Sequence, residues 1–250
     1  MRIPPWLPLA LLLASCDIQP PTPLPTLTPT PVPTATATID WFPVTDTPTP
    51  PPTVTRTPTP NLRPDVGVVL VEDDFTSDED WILSTADDYN IAIANGHLTM
   101  VLSRPRWFIF TTRSEPSLGD FYAEITASPN LCHGEDEYGF ILRTSTTLVH
   151  YRFALSCDGK AKVTRVSHNS ARVILPWTKN PTIPALAPSS SRLAVWAKGQ
   201  DIRFFVNGVY LFSISDTVLM EGAIGVFVRT AGDTPVSVNF SNLVVHSINP

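Results

Sequence analysis

From Val66 onward, apolar positions alternate with polar ones over short runs, and turn-forming pairs separate the runs at close intervals. The stretch Tyr89-Asn90-Ile91-Ala92-Ile93-Ala94, Asn95-Gly96, His97-Leu98-Thr99-Met100-Val101-Leu102 is the plainest case. Two segments of period two flank the pair that best supplies the left-handed conformations of a two-residue hairpin turn. The arrangement recurs at Asn207-Gly208, between residues 202–206 and 209–212, and Asp158-Gly159 joins 151–155 to 162–166 in the same way. The pattern predicts about thirteen strands and no amphipathic helix longer than a turn or two. Many short strands in one domain close as a two-sheet sandwich or a barrel. Several strands here are apolar on both faces, like the inner strands of stacked sheets, which favours the antiparallel sandwich.

The residues before Val66 follow another rule. Proline occurs three times in residues 1–15, fifteen times between Pro20 and Pro64, and nine times in the remaining 186 residues. Met1-Arg2 followed by an apolar run through Ala14 has the basic start, short apolar core and small-residue end of an export signal. Its end, Leu13-Ala14-Ser15-Cys16, resembles the lipobox of bacterial lipoproteins, which implies acylation of Cys16 and tethering to a membrane. Residues 1–15 are thus expected to be a lipoprotein signal peptide. Residues 16–64 are expected to be a lipidated cysteine followed by a disordered Thr/Pro-rich stalk. Each proline there fixes its own φ and extends its predecessor, and the apolar density is too low for a core. At ~3.1 Å per residue, such a spacer would reach on the order of 150 Å when extended. Residues 65–250 form the expected globular domain, of ordinary single-domain size.

Net charge narrows the function. With 17 Lys+Arg against 23 Asp+Glu the chain carries −6, so a broad basic surface for nucleic acid is not expected. The two cysteines within the domain test the strand reading. If 138–144 pairs with 149–155, paired residue numbers sum to roughly 293, and Cys132 and Cys157 sum to 289. They would then lie near one another at the open end of that hairpin, within reach of a disulfide, which export permits. A metal site using Cys132 and His133 competes with this reading but lacks further ligands at recognisable spacing.

Glu72-Asp73-Asp74-Phe75, Tyr138-Gly139-Phe140-Ile141-Leu142-Arg143, Arg203-Phe204-Phe205-Val206-Asn207-Gly208, Gly222-Ala223-Ile224-Gly225-Val226-Phe227 and Val238-Asn239-Phe240 resemble concanavalin A-like jelly-roll domains. More narrowly, they are similar to the domain classed with 3-keto-disaccharide hydrolases and laminarinase-type glycosidases in bacterial surface proteins. The resemblance covers about residues 70–247, and its motifs are turns and core strands, so it implies a fold far more than an activity.

Laminarinase-type enzymes carry Glu-x-Asp-x-x-Glu or a close variant on one strand, where alternation sets carboxylates on one face at the separation a double displacement requires. That pattern is missing. Glu135-Asp136-Glu137 is the nearest acidic group, and beside Gly134 it reads as a solvated loop or a cation site in preference to an acid/base pair. Neither a Gly-x-Ser-x-Gly nor a His-Glu-x-x-His motif occurs, and His97, His133, His150, His168 and His246 are scattered singly. Eight acidic residues between Glu72 and Asp88 crowd oxygen ligands into turns. Asp73, Asp74 and Asp78 are therefore candidate ligands for a structural calcium ion, which the resemblance also implies.

Sugar recognition on such sandwiches combines aromatic faces with polar side chains that reach hydroxyls. The candidates are Trp107, Trp177, Arg143, Arg152 and Arg229. If Tyr138, Phe140 and Leu142 face the core, alternation sends Ile141 and Arg143 to the opposite face; likewise Phe227 and Arg229 oppose Val226 and Val228. A row of arginines among aromatics would suit a saccharide or carboxylate. The leading expectation is a lipid-anchored binding module for a glycan or other extracellular ligand. Two alternatives stay open: a glycoside or keto-glycoside hydrolase with non-standard catalytic residues, and an envelope structural or protein-interaction domain.

Overall fold

A computed structural model describes residues 60–249, apart from 147, 148, 169, 233 and 234. The signal peptide, Cys16 and nearly all of the stalk lie outside the described residues. Fifteen strands and no helix make up the described part. They are β1 (Val66–Asp73), β2 (Ser84–Ala86), β3 (Tyr89–Ala94), β4 (His97–Leu102), β5 (Phe108–Thr112), β6 (Phe121–Leu131), β7 (Glu137–Thr146) and β8 (Val149–Ser156). There follow β9 (Lys160–Ser167), β10 (Ser170–Lys179), β11 (Ser191–Lys198), β12 (Asp201–Val206), β13 (Val209–Ser215), β14 (Ala223–Arg229) and β15 (Val236–Ile248).

They form two antiparallel sheets. One has nine strands in the order β13-β12-β11-β6-β15-β4-β3-β2, with β1 added alongside β15. The other has six, in the order β10-β9-β8-β7-β14-β5. Both Asn-Gly pairs make the expected turns, with φ of 53° and 73° at Asn95 and Gly96 and 51° and 77° at Asn207 and Gly208. The β7–β8 register pairs Phe140 with Phe153 and Ile141 with Arg152, the sum of 293 expected from the sequence. Cys132 and Cys157 are disulfide-bonded, with Cα atoms 5.8 Å apart.

The core is the layer between the sheets. Tyr138, Phe140, Tyr151, Phe153, Val226 and Val228 face Phe121, Ile125, Val195, Phe204, Val238 and Phe240, all buried. Phe153 and Phe204 meet across the layer with ring centroids 4.8 Å apart. Two departures from the sequence reading matter. Leu62-Arg63-Pro64, placed at the end of the stalk, packs on the outer side of the nine-stranded sheet: the Pro64 carbonyl accepts from the Trp196 indole at 2.9 Å, and that of Leu62 from Arg203 at 2.9 Å. The second departure is at Arg143. A break in the β7 register and a φ of 50° turn its side chain inward instead of to the outer face.

Candidate ligand-binding site

Strand alternation gives the six-stranded sheet an outer face as well as a core face. No further layer of strands lies on it among the described residues. Even so, Ile141, Ala154 and Phe227 on this face are buried, because Phe108, Phe110 and Trp177 pack around them. They make an apolar floor.

Charged side chains stand on that floor. Glu137, the first residue of β7, is 4% exposed, and its Oε1 accepts from Lys162 Nζ of β9 at 2.8 Å and from Arg229 Nη1 of β14 at 2.6 Å. Arg152, at the middle of β8, reaches diagonally across the face to lie over Phe108, with its guanidinium carbon 3.7 Å from the ring centroid and 6.0 Å from that of Phe227. The row it crosses contains Gly139 and Ala154, whose small size leaves room. Such a stacked guanidinium is held by the ring quadrupole while its edge stays free for hydrogen bonds in its plane. Burial, opposed by the Glu137 carboxylate and reinforced by the neighbouring Arg229, pushes Arg152 down to about 10.

His150 anchors the stem of Arg152. Arg152 Nε donates to His150 Nε2 at 3.0 Å, which fixes the imidazole as the neutral form protonated on Nδ1. Burial, with the Arg152 cation beside it, holds His150 down to about 4. Its Nδ1 is buried without a hydrogen-bond partner.

Two cavities adjoin these residues. Glu137, Arg152, Lys162, Thr164 and Arg229, together with Ala171 and Val173 of β10, line one of about 270 Å³. The second, about 370 Å³, lies by β5 and is lined by Tyr89, Trp107, Phe108 and Phe110, with Arg104 stacked 3.8 Å over the Trp107 ring. Phe108 stands between them, lining the second and lying beneath the arginine of the first. Trp177 borders the charged group, with Lys162 Nζ 4.3 Å from its ring centroid.

Of the five side chains expected to meet a ligand, Arg152, Arg229 and Trp177 converge on this face, and Trp107 lines the adjoining cavity. Arg143 stands apart. It is 0% exposed and donates to the carbonyls of Gly199, Leu219 and Gly119 at 2.8, 3.0 and 2.9 Å, so it ties three loops together instead of facing solvent. The sequence reading missed Glu137, Lys162 and Phe108. Glu137 was placed in a loop, yet extending the Tyr138/Phe140 alternation back by one residue puts it on the outer face with Ile141.

The three candidate calcium ligands take part in local hydrogen bonds. Asp73 accepts from the backbone of Phe75 and the indole of Trp81, both at 2.9 Å, and lies 3.5 Å from Arg113. Asp74 accepts from the amide and hydroxyl of Thr76 at 3.0 and 2.7 Å, while Asp78 gives its backbone carbonyl to Trp81. Among the described residues no three His, Cys, Asp or Glu side chains are gathered as a metal site.

The fold of the domain has counterparts among solved structures. A carbohydrate-binding module, CBM66, from Bacillus subtilis superposes with a TM-score of 0.54 at 18% identity, covering 67% of this chain and 96% of that one. A galectin-like protein of unknown function from the same species gives 0.57 at 13% identity, over 74% and 99% of the two chains. The catalytic domain of a laminarinase from Thermotoga petrophila gives 0.52 at 9% identity, over 73% and 98%. The domain has a concanavalin A-like jelly-roll fold. At these identities the likeness concerns the fold alone. No protein-family model matches the sequence, and no curated protein matches it.

Proposed function

We propose that this chain is an exported, lipid-anchored protein whose jelly-roll domain binds carbohydrate on the outer face of its six-stranded sheet without cleaving it. The observation that carries the reading is the cavity where Arg152, Lys162, Arg229 and Glu137 converge beside Phe108 and Trp177. Convergent charged groups beside an apolar floor reach the polar substituents of a sugar and fix its orientation. Two solved domains of similar fold, a carbohydrate-binding module and a laminarinase, support the same ligand class.

Chemistry argues for binding over hydrolysis. Glycosidases need two carboxyl groups about 5 to 9.5 Å apart on either side of the scissile bond. Glu137 is the one carboxylate among the residues lining this cavity, and it is engaged by two cations. The anchor is supported by the export-type apolar run ending in Leu13-Ala14-Ser15-Cys16. The Thr/Pro stretch behind it would hold the domain away from the membrane.

The test uses the chain with Cys16→Ser, applied to a glycan and polysaccharide array with calcium and with EDTA. Saturable binding that Arg152→Gln abolishes is the expected result; no saturable binding to any glycan contradicts the reading. For the anchor, Cys16→Ser is expected to release the protein from membranes, and unchanged retention contradicts it.

A further inference from the structure

Resting on the reading that this face binds a saccharide, we infer that its ligand is an acidic sugar whose carboxylate pairs with the guanidinium fork of Arg152. Arg152, Lys162 and Arg229 bring three positive charges to one cavity and Glu137 a single negative one, so two positive charges stay uncompensated there in a chain of net charge −6. Both hydrogen bonds into Glu137 go to the same oxygen, Oε1, and come from Lys162 and Arg229, so Arg152 has no carboxylate hydrogen-bonded to it.

Geometry then selects Arg152. Its Nε is occupied by His150, whereas Nη1 and Nη2 make no hydrogen bond to the described residues, and the side chain lines the cavity. The contact with Phe108 and the hydrogen bond from Nε to His150 hold the guanidinium in place and leave Nη1 and Nη2 as a two-pronged donor. A planar carboxylate accepts two parallel hydrogen bonds from such a fork. A partly buried cation with unused donors is costly to hold, which its lowered pKa also expresses, and an anionic ligand removes that cost. The hydroxyls of a neutral sugar would leave both excess charges unbalanced. Phe108 and Trp177 flank the charged group and hold the Arg152 and Lys162 cations in place against their ring faces.

The experiment measures affinity of the Cys16→Ser chain for five probes: polygalacturonate, fully methyl-esterified polygalacturonate, hyaluronan, dextran and dextran sulfate. Binding is expected to polygalacturonate or hyaluronan, with at least a tenfold loss in the Arg152→Gln variant. Arg152→Lys is expected to recover only part of it, because a point charge does not pair in two places. If polygalacturonate is bound, its methyl ester, which keeps the sugar and removes the charge, is expected to bind at least tenfold more weakly to the unaltered domain. That comparison holds even if a variant folds poorly.

Equal binding of dextran or of the methyl ester, unaffected by Arg152→Gln, overturns the acidic-sugar inference and leaves carbohydrate binding standing. Preference for dextran sulfate over both carboxylated polymers overturns the choice of carboxylate. Failure to bind any of the five overturns the inference, while a neutral glycan bound on the wider array would still sustain carbohydrate binding itself.

Discussion

The guanidinium carbon of Arg152 lies over the ring of Phe108, 3.7 Å from its centroid, although the two residues belong to strands separated by two others in the sheet. The contact spans the outer face and organises it. Beneath the arginine are Phe227 and the small residues Gly139 and Ala154; at its stem is His150; around it stand the ion pairs of Glu137.

That stacking is expected to be measurable without any ligand. In a double-mutant cycle of Phe108→Leu and Arg152→Met, urea unfolding is expected to show a coupling of about 0.5 to 2 kcal/mol, the range for cation–π pairs from exposed to desolvated. Strict additivity of the two substitutions would show that the ring contributes nothing specific to holding the arginine.

His150 makes stability depend on pH. Its ordinary value of 6.5 is held down to about 4 in the folded domain, chiefly by burial and further by the Arg152 cation. Between these values the unfolded chain binds a proton that the folded chain refuses, so this contribution is present at neutral pH and is lost as pH falls from 6.5 towards 4. The difference corresponds to about 3 kcal/mol. His150→Gln, which keeps an acceptor for Arg152 Nε, is expected to remove most of that loss when urea midpoints at pH 7 and pH 4 are compared. An unchanged pH dependence would contradict the assignment.

Arg143 is expected to behave as a structural residue. Its guanidinium satisfies the carbonyls of Gly119, Gly199 and Leu219 inside the protein. Arg143→Met would leave these acceptors unpaired and is expected to cost about 3 kcal/mol or more in chemical denaturation. Under conditions where the variant is folded, glycan affinity is expected to be unchanged. A selective loss of binding with normal stability would return Arg143 to the ligand site.

How much of this was legible in the sequence depends on the range of the interaction. Hairpins are local: Asn95-Gly96, Asn207-Gly208 and Asp158-Gly159 mark their own turns, and the β7–β8 register, hence the nearness of Cys132 and Cys157, follows from counting residues. Alternation likewise placed Arg229 and Phe227 on the face opposite Val226 and Val228. It failed at Arg143, because a single residue of positive φ breaks the period of two and no local signal in Leu142-Arg143-Thr144 announces it. It fell short at Glu137 for another reason. A carboxylate next to two others looks solvated until Lys162 and Arg229, on strands far apart in sequence, are seen to converge on it. Strand order, which no short-range pattern encodes, is what assembles the site.

The disulfide closes a separation of 25 residues at the open end of the β7–β8 hairpin. The chain-entropy model gives it about 3 kcal/mol. Cys132→Ala/Cys157→Ala, or reduction, is expected to lower the urea midpoint by the equivalent amount while leaving the outer-face residues able to bind. Equal stability of oxidised and reduced protein would contradict this.

Ligand is expected to meet the outer face of the six-stranded sheet. Mapping amide chemical-shift changes in the Cys16→Ser chain, titrated with whichever polysaccharide it binds most tightly, tests this directly. Changes concentrated at Glu137, Arg152, Lys162 and Arg229 and their strand neighbours, extending to Phe108 and Trp177, are predicted. Changes confined to the nine-stranded sheet, with those residues unmoved, would contradict the claim.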